Sequence, residues 1–493
     1  MTEVLLGIIS LVPFVFIGFG ILKTRLKIHW VTLLAMFITL GLSFLWNRDI
    51  YVTLGGVFEG FVIAIIPIMW VIFAAVFTYF ISIKTKAIDE IKDFLNNITD
   101  DKNIQAVLIA FCFGGFLESV AGFGTAVAIP TGMLVSLGFN PIKAATISLI
   151  ANSVPVAFGA LGLPVIVLSN IIKEPLMEIT KYVALQLIPF SLVIPLVIVL
   201  ISNDGFKNAS ISVKDALIIG FVFTLVQTLV ALFIGPELVA VLGSSISLLS
   251  VIVMSKLSKD NKNKKLKNIF IPIINYVILL ILIIVTRVFF KETLNSYPFT
   301  ISFDVIGHKI KIEYLTTPGT LLLFSSVIGA LIQGATLKTI FSTIIETLDR
   351  IKWSMLTIVS IVIIAKVMGN TGMIISTATL IAGISGKLYP LFAPLVGAIG
   401  TFITGSDTSS NILFGTLQKE TAKNLGFNQV WIASSNTSGA TAGKMISPQS
   451  IAVASSAVGL QGFEKQIIST TLPICLVYSL VLGIYIIIVS FIL

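Results

Sequence analysis

Residues 400–448, GTFITGSDTSSNILFGTLQKETAKNLGFNQVWIASSNTSGATAGKMISP, form a stretch of Gly, Ser, Thr and Asn inside an otherwise oily chain. Asp407 lies near its start and Lys444 near its end. Irregular polar backbone at membrane depth is tolerated only where protein buries it or where it lines a cavity. An unpaired backbone group in hydrocarbon costs on the order of several kcal/mol. The stretch is therefore either a long exterior loop or the inside of a site.

A second copy decides between them. Residues 114–164 match it: Phe116 with Phe402 at a separation of 286, Leu137–Asn140 with Leu425–Asn428 at 288, and Asn152-Ser153 with Asn436-Thr437 at 284. Gly159 and Pro164 match Gly443 and Pro448, again at 284. A surface loop has no reason to recur with the same internal spacing, whereas a site built between two repeats does.

The 493 residues are 56% hydrophobic and only 11% charged, about half the charged share of soluble domains. Many apolar runs reach the roughly 18 residues that a bilayer crossing needs. The expected fold is an all-α polytopic membrane protein with about 12–14 membrane segments, two inverted-topology repeats and broken or re-entrant helices at mid-membrane. The net charge of +9 does not point to nucleic acid, because the positives cluster in short loops as topology signals do. Lys256, Lys259, Lys262, Lys264, Lys265 and Lys267 mark a basic cytoplasmic linker, 255–268, between a first repeat with its hairpin (1–254, site region 104–168) and a second (269–493, site region 389–454). The N-terminus reads as a first span, not a removable signal. Lysines at 23–27 and 84–86 place it outside, and the final run from 467 also ends outside.

Between these landmarks the spans fall at about 29–46, 61–83, 179–201, 216–234, 237–254, 269–289, 315–333 and 353–369. Residues 51–59, 88–98 and 339–350 are amphipathic and are expected at the membrane surface. Residues 290–313 alternate like strands and are expected outside. Laid together at 286, the halves have opposite charge-rule orientations, which is the basis for the inversion.

Three acids lie deep in apolar sequence: Glu59, Glu118 and Asp407. An intramembrane carboxylate is a functional hypothesis by default. Glu118 and Asp407 hold near-equivalent places in the two copies, and desolvation penalises their charged forms, which suits them to carry a coupling proton. Glu59 abuts an amphipathic piece and reads as structural. Asn152, Ser153, Asn436 and Thr437 sit among small residues where helices are expected to break, and with free helix N–H groups they suit a substrate carboxylate. Lys444 is the candidate cation for that substrate, with Lys366 a weaker one.

Enzyme motifs are absent: no H-E-x-x-H, no G-x-x-x-x-G-K-[ST], no G-x-S-x-G. Cys112 and Cys475 are far apart in apolar runs, so neither a disulfide framework nor a metal site is expected, and no cofactor.

GGFLESVAGFGTAVAIP (114–130), LGFNP (137–141), ANSVPVAFGALGLP (151–164), TGSDTSSNILFG (404–415) and SSNTSGATAGKMISPQSIAVA (434–454) resemble the bacterial L-lactate permease family, over essentially the whole chain. The resemblance implies a secondary carrier that imports L-lactate, and often D-lactate or glycolate, with protons across the cytoplasmic membrane. The chain also looks like a distant relative of sodium-coupled anion carriers whose paired Ser-Asn-Thr tips hold substrate and cation. Ser435-Asn436-Thr437 matches that tip, while Ala151-Asn152-Ser153 departs at its first position. The alternatives are a sodium-coupled carrier of another small organic anion, or a channel-like or receptor protein. Partners expected are a small monocarboxylate, protons and lipid, with no nucleic acid; the sequence does not speak to oligomeric state.

Overall fold

Apolar runs punctuated by glycine and proline fold into helices and little else. The computed structural model describes residues 3–23, 26–46, 49–120, 122, 124–203, 210–257, 269–286, 290–294, 300–305, 308–312, 314–458 and 464–493. Ten described helices are long and apolar enough to cross a membrane, and five shorter apolar ones accompany them. The expected 12–14 segments fall between the ten long helices and the fifteen of both kinds together, because the shorter apolar helices have only 10–17 residues.

The first part of the chain runs α1 (Glu3–Ser10), α2 (Val12–Lys23), α3 (Ile28–Ser43), α4 (Ile50–Ile63), a π-helical stretch, α5 (Trp70–Lys84) and α6 (Ala87–Asn96). Next come α7 (Lys102–Ala106), a π-helical stretch Val107–Phe113, α8 (Gly114–Val120), α9 (Thr125–Ser136), α10 (Pro141–Ala151) and α11 (Gly159–Ile172). The long α12 (Leu176–Ser202) and a hairpin of α13 (Ser210–Phe233) and α14 (Pro236–Leu257) complete it. The hairpin turns at Gly235, whose φ of +144° suits glycine. Lys256 lies in the last turn of α14, and the rest of the basic linker, 258–268, lies outside the described residues.

The second part runs α15 (Ile274–Ile284), α16 (Lys291–Leu294), strands β1 (Ile301–Val305) and β2 (His308–Ile312), α17 (Pro318–Ile332), α18 (Leu337–Thr371) and α19 (Met373–Ser385). It closes with α20 (Tyr389–Thr404), α21 (Asp407–Leu425), α22 (Gln429–Lys444), α23 (Pro448–Ala457) and α24 (Glu464–Ser490). The strand-like alternation of 290–313 becomes an antiparallel pair in which Ile301 faces Ile312. Both parts contain a 35-residue helical rod, Ile50–Lys84 and Leu337–Thr371, and each has one 27-residue helix, α12 and α24.

Those rods correct two expectations. Residues 51–59 and 339–350 are not separate surface pieces; each is the opening of a continuous rod. Gly56 and Gly60 explain the first, because they let α4 lie against α18: a Cβ at Gly60 would sit 2.8 Å from the Ile363 Cα. The charge that made the segment look interfacial is neutralised in place, since Lys366 Nζ meets Glu59 Oε1 at 2.9 Å and Asn370 donates to Glu59 Oε2 at 3.1 Å. The amphipathic 88–98 segment forms α6, but its apolar face is covered by protein instead of lipid: Ile88, Ile91, Leu95 and Ile98 are all buried.

The helices sort into two groups by packing. One is a frame of α3, α4, α5, α15, α17 and α18. The other surrounds α20–α22, with α21 against α11 and α9 against α23. Small residues set the closeness of the second group. A Cβ at Gly397 would run into the Asn436 carbonyl, one at Gly439 into that of Pro394, and one at Gly443 into that of Ala398. No larger residue fits there, which is how small side chains let helix backbones approach.

Candidate functional site

Two broken hairpins bring their tips to one place. Glu118 lies in α8, which stops at Val120; Gly122 and Gly124 then take φ of +56° and +86° on the way into α9. In the second part α20 ends at Thr404, Gly405 takes φ +74°, and α21 begins at Asp407. Ser406 caps α21 by accepting from the Ser409 N–H at 3.3 Å. Glycine supplies the left-handed backbone that such a reversal needs.

Between the tips lies a cavity of about 130 Å³. Its walls are Glu118, Gly122, Gly124, the Val156–Pro164 region, Thr404–Ser409, Lys444, Gln449, Ser450 and Val453, closed by Ile28 of α3 and Ser354, Thr357 and Ile358 of α18. Drug-sized ligands occupy pockets of roughly 300–1,000 Å³, so this one suits a molecule of a few heavy atoms. The Ala160-Leu161-Gly162 turn beside it is left-handed at all three residues, with φ of +44°, +58° and +74°. For Ala160 and Leu161 that conformation costs on the order of 1–2 kcal/mol each, and it leads the chain from the Asn152–Phe158 break into α11.

The predicted acids and base converge here. Glu118 and Asp407 both interact electrostatically with Lys444 and with each other. Glu118 is 4% exposed and Asp407 1%. Glu118 Oε2 and both Asp407 carboxylate oxygens accept no hydrogen bond. Lys444 Nζ donates to the Gly405 carbonyl at 2.7 Å, which ties the end of α22 to the α20–α21 turn. Asp407 also stands in the first turn of α21, where the helix dipole favours negative charge.

The five amide and hydroxyl candidates do not line the cavity. Asn152 caps the end of α10 and faces Glu118, outside hydrogen-bonding geometry. Ser153 Oγ donates to the Ile150 carbonyl at 2.7 Å, and Ser435 Oγ to that of Ile432 at 2.7 Å. The helix break expected at Asn436-Thr437 is not there: α22 runs unbroken from Gln429 to Lys444. The run of small residues serves close packing on α20 instead. Asn436 donates to Asn411 Oδ1 at 2.9 Å and accepts from Gln418 at 3.2 Å; Asn411 donates to Thr437 Oγ1 at 2.8 Å and to the Pro164 carbonyl at 3.1 Å. Tyr389 completes this network by donating to Gln418 Oε1 at 2.6 Å. Lys366, the other candidate cation, is held by Glu59 away from this cavity.

Sequence reasoning missed Ser406, Thr408, Ser409, Gln449 and Ser450, and the whole α18 wall. The first group carried a signal: Gly405-Ser406 is a helix stop followed by a cap, which marks a turn with free N–H groups. Ser354 and Thr357 carried none, since in an amphipathic span they read as a polar stripe.

A family profile described as L-lactate permease matches residues 7–493. An L-lactate permease of Streptococcus iniae is 36% identical over 440 residues, covering 87% of this chain and 93% of its own. One of Bacillus subtilis is 34% identical, covering 98% and 94%. The glycolate permease GlcA of Escherichia coli is 31% identical, covering 97% and 94%. Among solved structures, the YdaH transporter of Alcanivorax borkumensis aligns with a TM-score of 0.46 at 12% identity, over 90% of this chain and 88% of that one. Profile and relatives agree over nearly the full length: the chain belongs to the L-lactate permease family.

Proposed function

We propose that this protein is a secondary carrier of the bacterial cytoplasmic membrane that imports L-lactate, and by the same chemistry D-lactate or glycolate, together with protons by alternating access. The observation that carries the reading is the convergence of Glu118, Asp407 and Lys444 on one small buried cavity, with three of the four carboxyl oxygens accepting no hydrogen bond. A substrate carboxylate added to two carboxylates and one ammonium leaves two uncompensated negative charges in a low-dielectric site. Buried unpaired charge is strongly unfavourable, so substrate entry calls for protons on Glu118 and Asp407. Coupling is then a consequence of charge balance. Lys444 and the first turn of α21, with the Thr408 and Ser409 hydroxyls, hold the substrate carboxylate. Asn152 stands beside Glu118 as a polar neighbour, and Ser153, Ser435, Asn436 and Thr437 support the site from behind.

Alternating access fits the packing. In the first part α9 and α10 lean on α23, and in the second α21 leans on α11, so each tip region rests on an element of the other part, an arrangement that suits two repeats moving about a shared site. In this reading both termini lie outside. The test is uptake into proteoliposomes under imposed proton or sodium gradients, across a panel of 2-hydroxy acids. Accumulation that follows the proton gradient and prefers lactate or glycolate supports the reading; accumulation that follows sodium and survives a proton uncoupler overturns it.

A further inference from the structure

Behind the cavity, two buried polar groups, Ser148 and Asn152, lie in a row on α10 and its C-cap. Asn140, Ala144, Ser148 and Asn152 recur at four-residue spacing, which places them on one face of α10. Asn152 is 1% exposed and Ser148 fully buried. Neither end of the Asn152 amide has a hydrogen-bond partner, nor does Ser148 Oγ, nor Glu118 Oε2, which Asn152 faces. Elsewhere on this helix the polar side chains are satisfied: Thr146 bonds Thr470 at 2.8 Å, and Lys143 donates to the Ser202 carbonyl at 3.3 Å. The open valences are thus confined to the face that starts at Glu118. Buried polar atoms without protein partners are where internal water sits, and such water makes two to four hydrogen bonds.

The row points somewhere. At the other end of α10, Asn140 and Lys143 line a recess of about 290 Å³ with Lys102, Asn103 and Ser202. Ser148 is eight residues from Asn140, about 12 Å along the axis. Ala144 is the one position between them on that face, and it is small. The π-helical stretch Val107–Phe113 packs against α10; π-helical turns occur often at functional sites.

We propose that Glu118, Asn152 and Ser148 hold a thread of water that passes the coupling proton between the cavity and the recess at the start of α10, by a route separate from the substrate's. The inference rests on the proton-coupled reading above. A proton leaves the Glu118 carboxyl for the first water, and the Ser148 hydroxyl accepts one proton as it gives up another, so no charge stays on the serine. Asn152 orients water without titrating. The charged groups facing Glu118 are Lys444 from α22 and Asp407 from α21; none comes from α10. Ala144 leaves one apolar turn in the row, which limits leak when no substrate is bound.

The experiment uses the full chain in proteoliposomes with an internal pH dye. Two signals are read: lactate-driven proton flux, and lactate counterflow at equal pH, which needs no net proton movement. Ser148→Ala is expected to cut lactate-driven proton flux roughly fivefold, the factor one lost hydrogen bond supplies, with counterflow within about twofold. Ala144→Ser, which completes the row, is expected to raise proton leak without lactate. Wild-type flux in Ser148→Ala together with wild-type leak in Ala144→Ser overturns the thread. A wild-type protein with no lactate-driven proton flux overturns the coupling reading itself, a result separate from either variant.

Discussion

The Asn411–Asn436 network and the Glu118–Asp407 cavity are both polar, both buried and both built across α21 and α22 or their neighbours, yet they treat hydrogen bonds in opposite ways. In the network each side-chain amide of Asn411, Asn436 and Gln418 both donates and accepts within the protein. In the cavity three of the four carboxylate oxygens of Glu118 and Asp407 have no partner. A saturated network fixes helices relative to one another. An unsaturated one keeps its capacity for something that arrives and leaves. Glu59, matched by Lys366 and Asn370, belongs with the first kind even though it is a carboxylate in a membrane helix.

The strongest way to break this division is to neutralise the open acids. Glu118→Gln and Asp407→Asn should each reduce proton-driven uptake roughly hundredfold, on the scale of losing a positioned proton carrier. Thermal unfolding in detergent should show no loss of stability, because a buried unpaired charge has been removed. Normal coupled uptake in both variants would end the assignment.

The closed ion pair should behave the other way round. Glu59→Ala is expected to cost about 3–5 kcal/mol, since it strands the Lys366 charge. Combining Glu59→Leu with Lys366→Leu should recover most of that, as read from the same melts. A single variant as stable as wild type would move Glu59 into the functional class.

Smaller still is the effect expected at the network. Asn411→Ala leaves Asn436 and Thr437 short of a partner and should lower stability by about 1–3 kcal/mol, while the folded fraction keeps its lactate affinity in counterflow. Lost affinity at unchanged stability would put the network in the site after all. Finally, Thr357→Val on the α18 wall should shift the lactate-to-glycolate preference by about fourfold, the worth of one methylene at ~0.8 kcal/mol. Competition assays measure it directly.

The sequence carried the positions of Glu118, Asp407 and Lys444 because each is a charge in surroundings that punish charge, and the duplicated spacing paired the acids. It misled at Asn436-Thr437 for a physical reason. A run of small polar residues is compatible with a broken helix tip and with a helix pressed against a neighbour; only the positions of Gly397 and Pro394 in space separate the two. It misled at 51–59 because the partner that neutralises Glu59 lies 307 residues away. The α18 wall was silent, since which face of a rod meets a cavity depends on its rotation about its own axis.

The glycine contacts between α20 and α22 have a consequence for how this protein can vary. With backbone on backbone at Gly397, Gly439 and Gly443, that pair of helices behaves as a single casting, and no side-chain change there can remould the pocket without prising the casting apart. Diversification toward other short acids is therefore channelled to the opposite side, where Ile28, Ser354, Thr357 and Ile358 meet the cavity through ordinary side chains.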